Sequence, residues 1–307
     1  MKILITGGAG YIGTELTYKL SENPDVSEII VYDNLSRPNY NLFIGRQKFI
    51  RNKVKFIEGD ILDSRKLRQV LKDVDVVYHL AAKVTTPFAD QNPHLFEQVN
   101  HWGTAELLYA IEESDVSKLI YTSSVSLYGA SNKEVDVNSP LNPRTFYGIS
   151  KMRGEDHVSR LFSKMPAYSV RCGNVYGYNK SMRFDAVINR FMFDANFTGR
   201  IKINGDGTQQ RAFIHIEKVA SALSNLLNSD LKSGKYDLVD KNISINELAD
   251  ALLEVFVGLE RLYVNQHMSL RNLTVKVDTR LAKLIEAPEK SLFEELKEFK
   301  TMLTFTS

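Results

Sequence analysis

Lys2-Ile3-Leu4-Ile5-Thr6-Gly7-Gly8-Ala9-Gly10-Tyr11-Ile12-Gly13, followed by a second apolar run, Ile29-Ile30-Val31-Tyr32, that ends in Asp33, decides how this chain is read. The first five residues are β-branched or apolar and read as a short buried strand. Tyr11 to Leu20 has a helical pattern. The order is therefore strand, glycine turn, helix, strand, acid, and each part has a task in holding a dinucleotide. Gly7 permits a tight turn, Gly10 lets a pyrophosphate approach the backbone, and Gly13 lets the helix lie close to the sheet. Tyr11 and Ile12 open the helix, whose free N–H groups and positive dipole end suit phosphate. Asp33, twenty residues beyond Gly13, can accept hydrogen bonds from the adenosine ribose hydroxyls. A carboxylate there repels a 2′-phosphate, so the expected cofactor is NAD and not NADP. Glycines at these spacings also occur in ordinary turns; the flanking strand, helix and acid are what make the signal specific.

The chain has 307 residues, enough for one large α/β domain with a smaller appendage. Its net charge is +2, with acids and bases mixed, so nothing resembles the basic stripe of a nucleic-acid binder. The single cysteine, Cys172, rules out an internal disulfide and suits a reducing compartment. A core strand beginning at residue 2 leaves no room for a signal peptide, and no apolar run approaches a membrane span. These features imply a soluble, cytoplasmic protein without nucleic-acid or membrane partners. The six histidines show no spacing that suggests a metal site.

Apolar runs alternate with helical patterns through the first half. Strands are expected at Val54–Ile57, Val76–Leu80, Lys118–Thr122 and Tyr168–Arg171. Helices are expected at Asp63–Leu71, capped by Asp63 or Ser64, at Pro93–Glu113 and at Tyr147–Ser163. This alternation implies a doubly wound parallel sheet of the Rossmann type, with ligands at the carboxyl ends of the strands. The second half is less regular. Gly177–Arg183 reads as a polar loop, and Phe184–Asn196, Glu217–Leu227, Ser244–Phe256 and Ser291–Lys300 read as helices. Short strands fit Ile201–Ile203, Phe213–Ile216 and Tyr236–Val239. The expected organisation is an NAD-binding domain over residues 1–172, to which 213–240 returns, interleaved with a smaller α/β substrate domain made of 173–212 and 241–307.

The strongest chemical signal is Tyr147-Gly148-Ile149-Ser150-Lys151. A tyrosine and a lysine four apart share one helix face. A nearby ammonium and a bound nicotinamide cation both favour the phenolate, turning a poor base into a usable one. Lys151 can also hold the nicotinamide ribose. Upstream, Thr122-Ser123-Ser124 lies at the carboxyl end of the fifth strand, where a Ser124 hydroxyl can meet a substrate oxygen held against Tyr147. Serines that merely cap a strand end would look the same without the Tyr/Lys pair.

The chain resembles the extended short-chain dehydrogenase/reductases that act on nucleotide sugars. The motifs carrying the resemblance are Thr6–Gly13, Asp33-Asn34-Leu35-Ser36, Gly59-Asp60-Ile61, His79-Leu80-Ala81-Ala82, Asn100 with Gly103-Thr104, Ser123-Ser124 and Tyr147/Lys151. Further on, Arg171-x-x-Asn174-Val175-Tyr176-Gly177 and Gly205-Asp206-Gly207 with Gln210-Arg211 continue it to about Ala220. The resemblance implies that Asp33 and Asn34 serve the adenosine ribose and that Asp60 and Ile61 cradle the adenine. It also implies that Leu80, Ala81, Ala82, Asn100 and Thr122 line or support the cofactor. Ser124, Tyr147 and Lys151 become the catalytic set. Asn174 and Arg211, with Arg271 as a weaker match, fall where the family holds a sugar nucleotide's diphosphate.

Val125 and Ser126 follow Ser124, where the family's 4,6-dehydratases carry an acid pair and its sugar-acid decarboxylases a glutamate in place of Ser126. Ala212 replaces the acid that commonly follows Arg211. The remaining expectation is NAD-dependent epimerisation at C4 of a nucleoside-diphosphate sugar through a transient 4-keto form. The alternatives are an NAD(P)-dependent 4-keto sugar reductase or dehydrogenase, and an NAD-binding sensor without turnover. The resemblance further implies a homodimer formed by the helices near 93–113 and 147–163.

Overall fold

The computed structural model describes residues 1–37, 40–44, 49, 53–84, 92–264 and 272–303. The near-continuous apolar runs become strands covered on both faces, as parallel sheets require. The first half comprises β1 (Lys2–Thr6), α1 (Tyr11–Ser21), β2 (Glu28–Asp33), β3 (Val54–Glu58), α2 (Ser64–Val70) and β4 (Val76–His79). It continues with α3 (Pro93–Phe96), a π-helical turn (Glu97–Trp102), α4 (Gly103–Glu112), β5 (Lys118–Ser124), α5 (Phe146–Ser159) and β6 (Ala167–Cys172). The second half comprises β7 (Asn174–Tyr176), α6 (Val187–Thr198), β8 (Arg200–Asn204), β9 (Gln210–His215), α7 (Ile216–Asn225) and β10 (Gly234–Leu238). It ends with β11 (Lys241–Ser244), α8 (Ile245–Val255), β12 (Glu260–Val264), α9 (Thr279–Ala282) and α10 (Leu292–Thr301).

Seven strands form one sheet in the order β10-β6-β5-β4-β1-β2-β3, every neighbouring pair parallel. The chain therefore runs outward from β1 in one direction and then crosses to β4 on its other side. Ligands of such sheets sit outside the carboxyl ends at that switch. One face of the sheet is covered by Leu16 and Leu20 of α1 and by Val219 and Leu223 of α7. The other face is covered by Leu67 of α2, Leu107 and Leu108 of α4 and Val158 of α5. A third core gathers Ile188 and Met192 of α6, Ile201 of β8, Leu248 and Leu252 of α8 and Leu296 of α10. The sequence-based fold class, an α/β doubly wound parallel sheet, is what the chain adopts.

Several boundaries differ from the sequence expectation for physical reasons. The helical stretch at 93–113 is split by the π turn around Asn100, whose side chain turns inward to bond another segment. The helix expected from Tyr147 to Ser163 ends at Ser159. The α6 helix begins at Val187, because Arg183 and Asp185 pair with each other ahead of it. Residues 213–240 do not return to the main sheet as one piece. β9 joins a small sheet of order β11-β9-β7, and only α7 and β10 rejoin the large one. A parallel pair, β12-β8, completes the second half.

A charged network is sealed beneath the carboxyl ends. Arg171 of β6 and Glu155 of α5 are each 1% exposed, joined by Nε–Oε1 and Nη2–Oε2 bonds of 3.0 and 2.7 Å. Arg171 also donates to the Tyr128 hydroxyl at 2.8 Å, and that hydroxyl donates to Asp237. Removing one partner of a buried fork leaves the other charge uncompensated. Arg171→Met is expected to lower stability by about 3–5 kcal/mol. The Arg171→Met/Glu155→Met double variant is expected to lose less than the single one, measured by urea unfolding. A double variant that loses the sum of the two singles contradicts this view of the pair.

Candidate active site

Three turns meet at the carboxyl ends of β1, β2 and β4. Gly7 has φ +71°, and a Cβ there would stand 2.6 Å from the Ala81 backbone N, so the glycine turn and the loop after β4 touch backbone to backbone. A Cβ on Gly13 would stand 2.3 Å from the Gly7 carbonyl oxygen, which is how α1 lies so close to the turn. Gly10 caps the helix with extended backbone, and its Cβ position meets only the Gly7 carbonyl. Tyr11 is buried, and its hydroxyl donates to the Gly177 carbonyl at 2.6 Å, so this side chain is spent on tying the two halves together. Ile12 is half-buried behind it.

Asp33 ends β2 with its carboxylate held by the Ala9 and Leu35 amides at 3.1 and 2.9 Å. Burial pushes its carboxyl above the usual range, and those two amides oppose the shift. Asn34 donates to the Asp60 carboxylate at 2.8 Å, and Asp60 also accepts from the Leu62 amide, so the ends of β2 and β3 are pinned together. Ile61 is buried against Gly103. Leu80, Ala81 and Ala82 form the half-buried loop after β4. Asn100, fully buried on the π turn, accepts from the Lys83 amide at 2.8 Å and donates to the Lys83 carbonyl at 3.0 Å. It thereby fixes that loop while donating to Ser150 of α5. Behind the loop, the His79 ring lies between the Thr6 and Thr104 hydroxyls at 2.7 and 2.9 Å.

Ser124 lies close enough to the Tyr147 hydroxyl to favour its ionised form, and its Oγ accepts from the Ser126 amide at 3.1 Å. The Ser123 and Ser126 hydroxyls beside it are buried with no hydrogen-bond partner among the described residues. Lys151 Nζ lies 2.5 Å from the Thr122 carbonyl oxygen and 4.1 Å from the centre of the Tyr121 ring. From the sequence, this ammonium is expected to lower the Tyr147 pKa. The structure instead raises the phenol above its ordinary value, because burial outweighs the Ser124 hydroxyl that opposes it. Burial also brings Lys151 down to about 7, against the pull of Cys172 and Glu155. Cys172 itself is pushed up to about 12 by burial.

Asn174 and Arg211 are both carried by the small sheet, on β7 and β9. The Asn174 amide donates to the Ala212 carbonyl at 2.9 Å, and Arg211 Nη1 donates to the Gln210 carbonyl at 3.2 Å. Arg271 lies outside the described residues. Sequence reasoning passed over Arg183, whose positive charge favours the ionised form of Tyr147, and Cys172, whose thiol opposes it. The only signal for Arg183 was its place in a polar loop between the two halves.

These residues fit a dinucleotide. Cβ atoms at Gly7 and Gly13 would fill the cradle, the α1 N-terminus is open, and the Asp33 carboxylate stands at the end of β2. The profile of the NAD dependent epimerase/dehydratase family matches residues 3–239. A putative UDP-glucose 4-epimerase of Methanocaldococcus jannaschii is 33% identical over 258 residues, 81% of each chain. A dTDP-D-glucose 4,6-dehydratase of Bos taurus is 30% identical over 298 residues, 94% of this chain and 81% of that one. The crystal structure of UDP-glucuronic acid 4-epimerase from Bacillus cereus, in complex with UDP-glucuronic acid and NAD, superposes with a TM-score of 0.85 at 25% identity, over 98% of both chains. The chain belongs to the NAD-dependent epimerase/dehydratase family of extended short-chain dehydrogenase/reductases. It is an enzyme of that family, and its cofactor is NAD. Among the described residues no helix is long and apolar enough to cross a membrane.

His79, buried under the cleft, gives this architecture a pH signature. Burial lowers its pKa from 6.5 to about 3, with the Lys151 charge acting in the same direction. Between those values the unfolded imidazole is protonated and the native one is not, so the unfolded state binds more protons and stability falls as pH drops. The expected contribution is a slope of up to ~1.4 kcal/mol per pH unit in that window. Unfolding of His79→Asn followed from neutral pH downward is expected to lack it. A variant with the parent's slope contradicts a neutral native His79.

Proposed function

We propose that the enzyme inverts C4 of a nucleoside-diphosphate sugar through a transient 4-keto sugar and returns its NAD unchanged. The observation that carries the reading is the Ser124–Tyr147 pair, with Val125 and Ser126, neither of them a carboxylate, following Ser124 at the end of β5. Eliminating water across C5 and C6 needs an acid and a base at that place, and the family resemblance implies a glutamate there for decarboxylation.

In this reading Gly7, Gly10, Tyr11, Ile12 and Gly13 form the pyrophosphate turn, Tyr11 through its backbone because its hydroxyl is already committed. Asp33 and Asn34 take the adenosine ribose, Asp60 and Ile61 the adenine, and Leu80, Ala81 and Ala82 the wall opposite the glycines. Asn100 holds that wall, while Thr122 and Lys151 bracket the nicotinamide ribose. A bound NAD would supply the reversible hydride acceptor for C4. Tyr147 removes the O4 proton as phenolate and returns it, and Ser124 aligns the hydroxyl. A cation must offset the burial of the phenol for this, because Lys151 is turned toward Thr122. Asn174 and Arg211, with Arg271 as a third candidate, hold the diphosphate while the keto sugar turns about it. Residues 173–212 and 241–307 act as the substrate domain. The exposed Trp102, Tyr109 and Phe146 on the helices at 97–112 and 146–159 support a homodimer through that face.

Incubation with UDP-galactose, UDP-glucose and their 2-acetamido and uronic acid forms, read by NMR, is expected to give the C4 epimer of one pair with no accumulation of NADH. Steady NADH formation or consumption favours a 4-keto sugar reductase or dehydrogenase instead. Tyr147→Phe is expected to lower turnover by at least ~10²-fold while NAD binding, followed by its fluorescence change, stays within about twofold. Retained turnover in that variant contradicts the assignment of the base.

A further inference from the structure

Ser124 owes its place to two different neighbours. Its backbone ends β5 and is paired in register with Cys172 of β6. Its hydroxyl is directed by something else. The Oγ accepts from the Ser126 amide, and that amide belongs to a single 3₁₀ turn, Val125–Tyr128. The backbone of this turn is packed from two sides. A Cβ on Gly148 of α5 would stand 2.9 Å from the Ser126 carbonyl oxygen, and the Leu127 carbonyl accepts from the Asn142 amide at 3.0 Å. Gly129, with φ +77°, then carries the chain away so close to the Asn142 carbonyl that no Cβ would fit.

Of the four side chains on the turn, only that of Tyr128 makes a hydrogen bond among the described residues. Val125 and Leu127 are apolar, and the Ser126 hydroxyl has no partner. The Tyr128 hydroxyl is gripped from two strands: it accepts from Arg171 Nη1 of β6 at 2.8 Å and donates to both Asp237 oxygens of β10, each at 2.8 Å. A guanidinium can only donate, so the one phenolic proton is committed to the carboxylate and the hydroxyl has a single orientation. Tyr128, Arg171 and Asp237 are all buried, which shields these bonds from solvent. A phenylalanine would fill the same apolar core beside Val125, Ala212 and Val239; the hydroxyl alone engages the buried charges. Arg171 is forked in turn on Glu155 of α5, so the grip joins the turn that directs Ser124 to the helix that carries Tyr147.

We propose that Tyr128 is a positioning residue that acts through Ser124: its hydroxyl, clamped between Arg171 and Asp237, holds the 125–128 turn where the Ser126 amide aims the Ser124 hydroxyl at the sugar. The inference rests on the proposed role of Ser124 in aligning O4. It gives the buried charges of β6 and β10 a task beyond stability. A small shift of the turn swings the Ser124 hydroxyl off its target while the β5–β6 pairing keeps the backbone in place. The cofactor cradle, built on the ends of β1, β2 and β4, is left untouched.

The test is a double-mutant cycle on the NAD-loaded protein, with the UDP-sugar that the parent epimerises. Tyr128→Phe keeps the ring and removes the hydroxyl. It is expected to lower kcat roughly tenfold, with KM and NAD affinity within about twofold of the parent. In a Ser124→Ala background the same substitution is expected to change kcat by less than about twofold, because the group it positions is gone. Asp237→Asn loosens the clamp from its other end and leaves Tyr128 intact. It is expected to repeat the pattern, with a cost in the parent that disappears in Ser124→Ala, and so serves if the phenylalanine protein does not fold. Equal losses in both backgrounds would mean general loosening of the fold and overturn the proposal, as would variants with the parent's kcat. A Ser124→Ala protein as active as the parent overturns the role of Ser124 itself, and this inference with it.

Discussion

Backbone-to-backbone approach at the first glycine turn is the constraint on which the rest depends. With no Cβ at Gly7 or Gly13, the turn presses against Ala81, and α1 starts almost on top of the β1 end. That fixes where a pyrophosphate would meet the helix N-terminus at the carboxyl ends of the strands. The same helix start sends the Tyr11 hydroxyl across to Gly177, so placement of the cofactor cradle and docking of the second half are one mechanical event. Side chains larger than hydrogen at those glycines would push the turn off Ala81 and α1 off the turn, as well as crowding the phosphate.

The second theme is dryness. Tyr147, Lys151 and Cys172 are all buried, and desolvation is the largest influence on each of them. It raises the two acids and lowers the amine, pushing all three toward neutrality. A dry cleft strengthens every fixed charge in it, which suits hydride movement, but it also leaves the phenol without an automatic source of stabilisation for its anion. A bound nicotinamide cation would supply part of that stabilisation. His79 shows the same logic in a structural role: kept neutral by burial, it spends its ring on two threonine hydroxyls and stiffens the cofactor wall.

The fold was legible wherever a local pattern had one physical solution. The apolar runs at β1, β2, β4, β5 and β6 could only be buried parallel strands, and Asp63 does cap α2 by accepting from the Lys66 amide. What escaped was tertiary. The π turn at Asn100 exists because one side chain must reach Lys83, a contact no helical period announces. β11 and β12 are short and half exposed, with little apolar signal. Within the site, Ser124, Tyr147 and Lys151 lie together, and Asn174 and Arg211 share a sheet. The lysine's direction was illegible, since it depends on how α5 packs against the Thr122 carbonyl at the end of β5.

The most direct test of the central claim follows one hydrogen. The enzyme is incubated with a UDP-hexose carrying deuterium at C4 and the product is read by NMR and mass spectrometry. The account predicts a product inverted at C4 that keeps its deuterium at C4, because the hydride leaves and returns to the same carbon within one binding event. Deuterium found at C6 would mean dehydration, and deuterium released on free NADH would mean net oxidation; either result contradicts the assignment.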